Sequence, residues 1–204
     1  MRCRIIKRVV ARSATAGKRR LGRDDWIAAA FDAIPDGGLS AVAVEPLAAR
    51  LGVTKGSFYA HFASRDELID ATLESWERSL TGPRLTEFTQ IADPATRLRA
   101  MLEAAVTYSQ SGAPSVHMSL LGEFGDPRVR DAVARVTAGR LDLLTTTYRQ
   151  LGLSPRRARD RARMTYATYL GLLQMARETP ERTLSARDVN RFMDELTTVL
   201  IPST

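Results

Sequence analysis

The sequence predicts an all-α fold in two consecutive helical blocks. Three observations carry this reading. Apolar residues recur at three- and four-residue spacing through nearly all of the chain beyond residue 23. β-branched alternation is scarce, and no Asn-Gly or Asp-Gly hairpin lies between alternating runs. Asp36-Gly37, flanked by Pro35 and Gly38, reads as a loop.

In the first block, residues 24–34 form a helix with Trp26, Ile27, Ala30, Phe31 and Ile34 on one side, ended by Pro35-Asp36-Gly37-Gly38. A short helix follows over Val44–Leu51. With Ala43 as its N-cap, Pro46 falls at the third helical position, where the missing N–H has no intrahelical partner to lose. Gly52 stops this helix by taking a left-handed conformation. Thr54 caps the next, over residues 55–62. Ser64 caps a fourth, Glu67 completes a capping box, and Leu68, Ile69, Leu73 and Trp76 form its apolar side.

Thr81-Gly82-Pro83-Arg84 reads as a linker to the second block. Asp93-Pro94 opens a helix carrying Leu98, Met101, Leu102, Ala105, Val106 and Ser109, interrupted at Gly112-Ala113-Pro114. A short segment and a turn lead to a long helix marked by Val129, Val133, Val136, Leu141, Leu144, Tyr148 and Leu151 and ended by Gly152. Ser154-Pro155 is a cap followed by proline at the first helical position; that helix is arginine-rich at first and apolar later. Residues 185–200 form the last helix, with Val189, Phe192, Met193, Leu196, Val199 and Leu200 on one face.

Charge is unevenly placed. The chain has 204 residues and a formal net charge of +7, yet residues 1–23 hold nine of the 30 Lys and Arg side chains and no carboxylate. The remainder is nearly neutral. A basic arm on a neutral body suits a polyanion, nucleic acid before an acidic membrane surface; a solvated, disordered end is the plainer reading of the same residues. The lone cysteine, Cys3, excludes an intramolecular disulfide and a thiolate zinc cluster. No apolar window approaches a membrane span, and Lys7, Arg8 and Arg12 break the apolar stretch that a secretory signal needs. The expected compartment is the cytoplasm, with no membrane partner.

The strongest signal lies over residues 47–62. Two short helices are joined by a tight turn with glycine at the bend, and Leu47, Ala48, Leu51, Val53, Phe58 and Phe62 close a small core. Thr54, Lys55, Gly56, Ser57, Tyr59 and His61 are left to face solvent or DNA, as in a helix-turn-helix whose second helix enters the major groove. Thr54 would meet a phosphate, Lys55 a base edge or a phosphate, and Ser57 a base. Gly56 permits close approach, while Tyr59 and His61 would hold phosphates. Arg19, Arg20 and Arg23, just ahead of the first helix, would enter a minor groove or grip phosphates.

The string Gly52-Val53-Thr54-Lys55-Gly56-Ser57-Phe58-Tyr59 with His61-Phe62, followed by Ser64-Arg65-Asp66-Glu67-Leu68, resembles the DNA-binding region of the TetR family of bacterial transcriptional repressors. The family commonly has a lysine after His-Phe. Ala63 stands there in this chain, and Arg65 is the candidate to supply the missing phosphate contact. The resemblance implies an arm over 1–21, an N-terminal three-helix DNA-binding domain over 22–80, and a C-terminal helical ligand-binding and dimerisation domain over 81–204. It further implies a homodimer formed through residues 155–176 and 185–200. Two recognition helices would then face the half-sites of a palindrome, ~34–36 Å or a multiple apart.

Family members usually enclose a small-molecule pocket in the second domain. Met101, Tyr108, His117, Met118, Tyr166, Tyr169 and Met175 are the pocket candidates, each taken singly more readily read as ordinary core; Glu103 and Glu123 would suit a cationic ligand but read at least as well as exposed surface. No catalytic motif, cofactor or metal set is recognisable: HExxH, GxSxG, GxGxxG and the phosphate loop are all missing. The expected function is a repressor released from its operator by a small-molecule effector. A ligand-independent or activating regulator is the alternative.

Overall fold

A computed structural model describes residues 21–81, 83–113, 115–179 and 184–202. Among these residues it contains only helices: α1 (Arg23–Gly37), α2 (Val44–Leu51), α3 (Lys55–Tyr59), α4 (Arg65–Thr81), α5 (Pro83–Thr89), α6 (Pro94–Ser109), α7 (Val116–Leu121), α8 (Pro127–Gln150), α9 (Pro155–Glu178) and α10 (Ala186–Leu200). A 3-10 turn, Gly38–Ala41, joins α1 to α2.

Local chemistry explains most boundaries. Asp93, Asp126, Ser154 and Ser185 are N-caps whose side chains accept a backbone N–H of the first turn, and the first three are each followed by proline. Gly52 adopts φ 68°, ψ 31°, and the N–H groups of Gly52 and Val53 close α2 on Ala48 and Ala49 carbonyls. Ser64 Oγ accepts the Glu67 N–H as expected, but the Glu67 carboxylate reaches past the cap to the Ala63 N–H at 2.7 Å.

Three sequence expectations need correction. Pro35 does not end α1; it sits inside a helix that runs on to Gly37 and stops at Gly38, where φ is 61°. So close to the C-terminus the proline deletes one ladder bond and leaves the last turn intact. The recognition helix is shorter than residues 55–62, closing in a turn where the Phe58 carbonyl accepts from both His61 and Phe62. The supposed linker is mostly helix: Thr81 ends α4 and Pro83 begins α5, while Gly82 lies outside the described residues. The arm over 1–20 lies outside them too.

The apolar side chains form two clusters. One joins Trp26, Ile34, Leu47, Phe58, Phe62, Leu68 and Trp76 to Val116, Leu120, Val129, Val133 and Val136, so the core of the first four helices continues into α7 and α8. The other is built by α6, α8, α9 and α10 around Leu98, Val106, Tyr148, Ala158, Ala162 and Met193. α8 packs along both α4 and α9, and therefore borders both clusters.

Candidate functional site

Helix α3 presents one polar face and is pinned from behind. Phe58 and Phe62 are buried, their rings stacked with centroids 5.5 Å apart, and Trp26 meets Phe58 edge-on at 5.3 Å. Thr54, Lys55 and Gly56 are exposed, Tyr59 is 56% exposed, and Ser57 and His61 are half-buried at the flank. Thr54 occupies the N-cap position, yet its hydroxyl makes no capping bond. A Cβ on Gly56 would meet nothing closer than Thr54 Oγ1 at 3.7 Å, so the fold itself does not require glycine there.

Charges around this face are already engaged. Lys55 Nζ lies 2.5 Å from Glu45 Oε1 across the turn. The hydrogen bond with Lys55 lowers the Glu45 pKa, and the same bond raises that of Lys55. Arg23 donates from Nη1 to the His61 carbonyl at 2.7 Å and to Glu67 at 2.8 Å, with its guanidinium carbon 4.1 Å from the Phe62 ring centroid. It ties α1 to the end of the motif instead of reaching outward. Arg65 donates from Nε to the Val42 carbonyl at 2.6 Å and from Nη2 to the Leu39 carbonyl, a clasp on the 3-10 turn. Arg19 and Arg20 lie outside the described residues.

A cavity of about 970 Å³ lies between this unit and the later helices. Ile27 and Phe31 of α1, Trp76 of α4 and Phe88 of α5 line it from one side, Leu102 of α6, Leu144 of α8 and Leu172 of α9 from others. Of the seven pocket candidates, Met101, Tyr108, His117, Tyr166 and Tyr169 share this lining. Met118 lines a separate space of about 260 Å³, and Met175 is 62% exposed on α9, away from both. Glu103 pairs with Arg99 on the surface of α6, and Glu123 accepts the Leu39 N–H at 3.0 Å, so neither stands in the cavity.

His117 is buried beside Trp76, its Nε2 3.4 Å from Tyr166 Oη, which also lies 3.1 Å from Thr137 Oγ1. Burial, and secondarily the Arg140 charge, push the His117 pKa down to about 4, so the ring is neutral near pH 7. Burial raises the Tyr169 pKa, opposed by Arg140, whose guanidinium carbon lies 5.0 Å from the Tyr169 ring centroid.

Arg140 itself is a lining residue that the sequence reading missed. The signal was present: Arg140 falls four residues after Val136 and four before Leu144, on the inward stripe of α8, where a charged residue is out of pattern. Among the described residues no helix is long and apolar enough to cross a membrane, and no three His, Cys, Asp or Glu side chains are grouped to hold a metal ion.

Residues 27–72, the span that holds the helix-turn-helix, match the family model of bacterial regulatory proteins, tetR family. The chain is 32% identical over 114 residues to the HTH-type transcriptional repressor KstR2 of Rhodococcus jostii (strain RHA1), a match spanning 56% of this chain and about half, 53%, of that protein. E. coli NemR in its reduced form shares the fold at a TM-score of 0.71 and 19% identity, over 89% of this chain and 97% of that one. Bacillus subtilis FadR in complex with stearoyl-CoA does so at 0.64 and 14% identity, over 89% and 98%. With the exposed α3 behind Gly52, residues 27–72 are thus similar to the DNA-binding region of bacterial regulatory proteins of the tetR family, and the all-helical chain shares the fold of these solved structures.

Proposed function

We propose that this chain is a DNA-binding transcriptional repressor that works as a homodimer, reads a palindromic operator through α3, and is released when a small molecule occupies the cavity between α1 and α9. It performs no chemical turnover. One observation carries the DNA-binding reading: α3 turns Thr54, Lys55 and Tyr59 to solvent while Phe58 and Phe62 hold it rigidly from behind. Gly56 supports it, because a fold that tolerates a side chain there leaves close approach to DNA as the reason for having none.

Lys55 reaches a phosphate or a base edge by exchanging Glu45 for it. Tyr59, Ser57 and His61 add contacts at the rim, and Thr54 offers an uncommitted hydroxyl. Arg23 and Arg65 contribute differently, by fixing the motif's orientation through carbonyl clasps. Release requires a ligand that favours one arrangement of the two halves over another. The cavity suits this, because α1 and α4 of the DNA-reading unit supply part of its wall. Movement of α8 would reach α4 through Arg128, whose Nη1 lies 3.1 Å from Asp66 and 3.5 Å from Asp70, and through Arg135, which pairs with Glu77 at 2.9 Å. The name of KstR2 as a repressor and the stearoyl-CoA bound to FadR fit this reading.

The homodimer is supported by α9, where Met164, Ala167, Gly171 and Met175 form an exposed face at three- and four-residue spacing, with Val199 of α10 also exposed. Selection of bound duplexes from a random pool, with salt titration of the winner, tests the function. A palindromic consensus bound two protomers at a time is expected; salt-insensitive or sequence-blind binding overturns the reading. Lys55→Ala and Tyr59→Ala then separate the roles: uniform weakening marks a phosphate contact, relaxed preference at one base pair a base contact.

A further inference from the structure

We propose that the cavity selects an anionic amphiphile, an apolar body bearing one carboxylate or phosphate head, and that Arg140 holds the head group. This rests on the effector-site reading above and adds the chemistry of the ligand to it. Arg140 stands midway along α8 on its inward stripe and lines the cavity. Its Nη1 is sealed from solvent without a hydrogen-bond partner, and the half-buried guanidinium's side-chain hydrogen bond goes to the neutral Tyr169 hydroxyl, which brings no counter-charge. A half-buried cation at a largely apolar wall, with no paired carboxylate among the described residues, leaves positive charge uncompensated, so the site is complementary to an anion.

The rest of the lining agrees. Among the described residues its carboxylates are Asp24, Asp32 and Asp36, all exposed on α1, and Asp32 faces Arg50 at 3.6 Å. His117 Nδ1 is likewise sealed and unpartnered. With Tyr166 donating to Nε2, Nδ1 carries the ring proton and becomes a second unmet donor, on a ring near enough to Arg140 to feel its charge. A carboxylate or phosphate would satisfy both through charge-assisted hydrogen bonds, and the planar guanidinium fork suits either head. Leu102, Leu144, Leu172 and Trp76 leave the remaining wall apolar, and about 970 Å³ is at the upper end for drug-sized ligands.

Calorimetry on the full-length chain near pH 7.5, without DNA, tests this with four probes of one tail length below their micellar concentrations: decanoate, decyl phosphate, 1-decanol and decyltrimethylammonium. One or both anions should bind at least tenfold more tightly than the alcohol and the cation, and the tighter anion identifies the head group. Arg140→Gln should erase that preference while leaving decanol within twofold, and Arg140→Lys should retain part of it. Arg140→Met serves as a second neutral variant, with circular dichroism verifying the fold of each. The proposal is overturned if neither anion binds, if decanol or the cation matches the better anion, or if the preference survives in both neutral variants. A protein that binds its selected duplex yet shows no anion preference refutes the head-group assignment alone. One that binds no duplex refutes the repressor and leaves the calorimetric result standing.

Discussion

Lys55 and Arg140 are both cations at candidate contact surfaces, and the molecule treats them in opposite ways. Lys55 sits in open water with its side chain 52% exposed, paired to a Glu45 that is itself 65% exposed. Such a pair is loosely held and screened by salt, so a phosphate can replace the carboxylate with little loss. Arg140 lies among aromatic and aliphatic side chains with one N–H sealed and unmet. There an arriving anion meets a largely apolar wall and, among the described residues, no carboxylate paired with the guanidinium, the lining's three carboxylates lying exposed on α1. The outer surface is suited to reversible exchange of partners along a polyanion, the inner one to discrimination between ligands.

The largest expected effect comes from removing the support behind the outer surface. Phe58→Ala deletes a fully buried ring packed on Trp26 and Phe62, and should lower stability by about 3–5 kcal/mol in a urea titration. Selected-duplex binding should fall with it.

The inner surface has a comparable weakness in acid. His117 faces Trp76, Tyr166 and Arg140, and the fold holds its pKa at about 4 against 6.5 for an ordinary histidine. Protonation therefore favours the unfolded chain. Stability is complete above about pH 6.5, declines as pH falls, and levels off below about 4, a loss of about 3 kcal/mol. Urea unfolding across that window measures it, and His117→Phe should flatten the slope between those limits.

Gly38→Ala acts on the joint between the two surfaces. The position has φ 61°, and a Cβ would lie 1.9 Å from Glu123 Oε1, the atom that accepts the Leu39 N–H. About 1–3 kcal/mol of destabilisation is expected by thermal melting. Glu45→Gln has the smallest effect and the opposite sign. Freeing Lys55 should raise duplex affinity up to about fivefold at low salt, fading as salt increases, whereas Arg140→Gln should leave ligand-free duplex binding unchanged.

The two surfaces were not equally legible in the sequence. The outer one is local: Gly52 at the bend, Ser64 at the cap and Phe58 and Phe62 four residues apart all lie within a dozen positions, and each makes the bond or contact its chemistry implies. What sequence could not reveal there was the prior commitment of Lys55, Arg23 and Arg65, because their partners Glu45, Glu67 and the Val42 carbonyl are chosen by the packing of neighbouring helices. The inner surface is assembled from helices far apart in the chain. The sequence offers Tyr166, Tyr169 and Met175 alike as pocket candidates and gives no means of separating the two tyrosines, which line the cavity, from Met175, which sits on the same helix and faces out. Helix α5 was missed because Gly82-Pro83 reads as a break, although proline at a helix start is equally at home.

The apolar seam running from α1 and α4 into α7 and α8 bears on how such proteins can be recombined. A hybrid sensor made by cutting at residue 81 and grafting a foreign operator-reading half would set new α4 side chains against Val129, Val133 and Val136, and would lose the Arg128 and Arg135 ion pairs. Grafts that carry the matching α8 face along with the head should stay soluble, and those that divide the seam should precipitate.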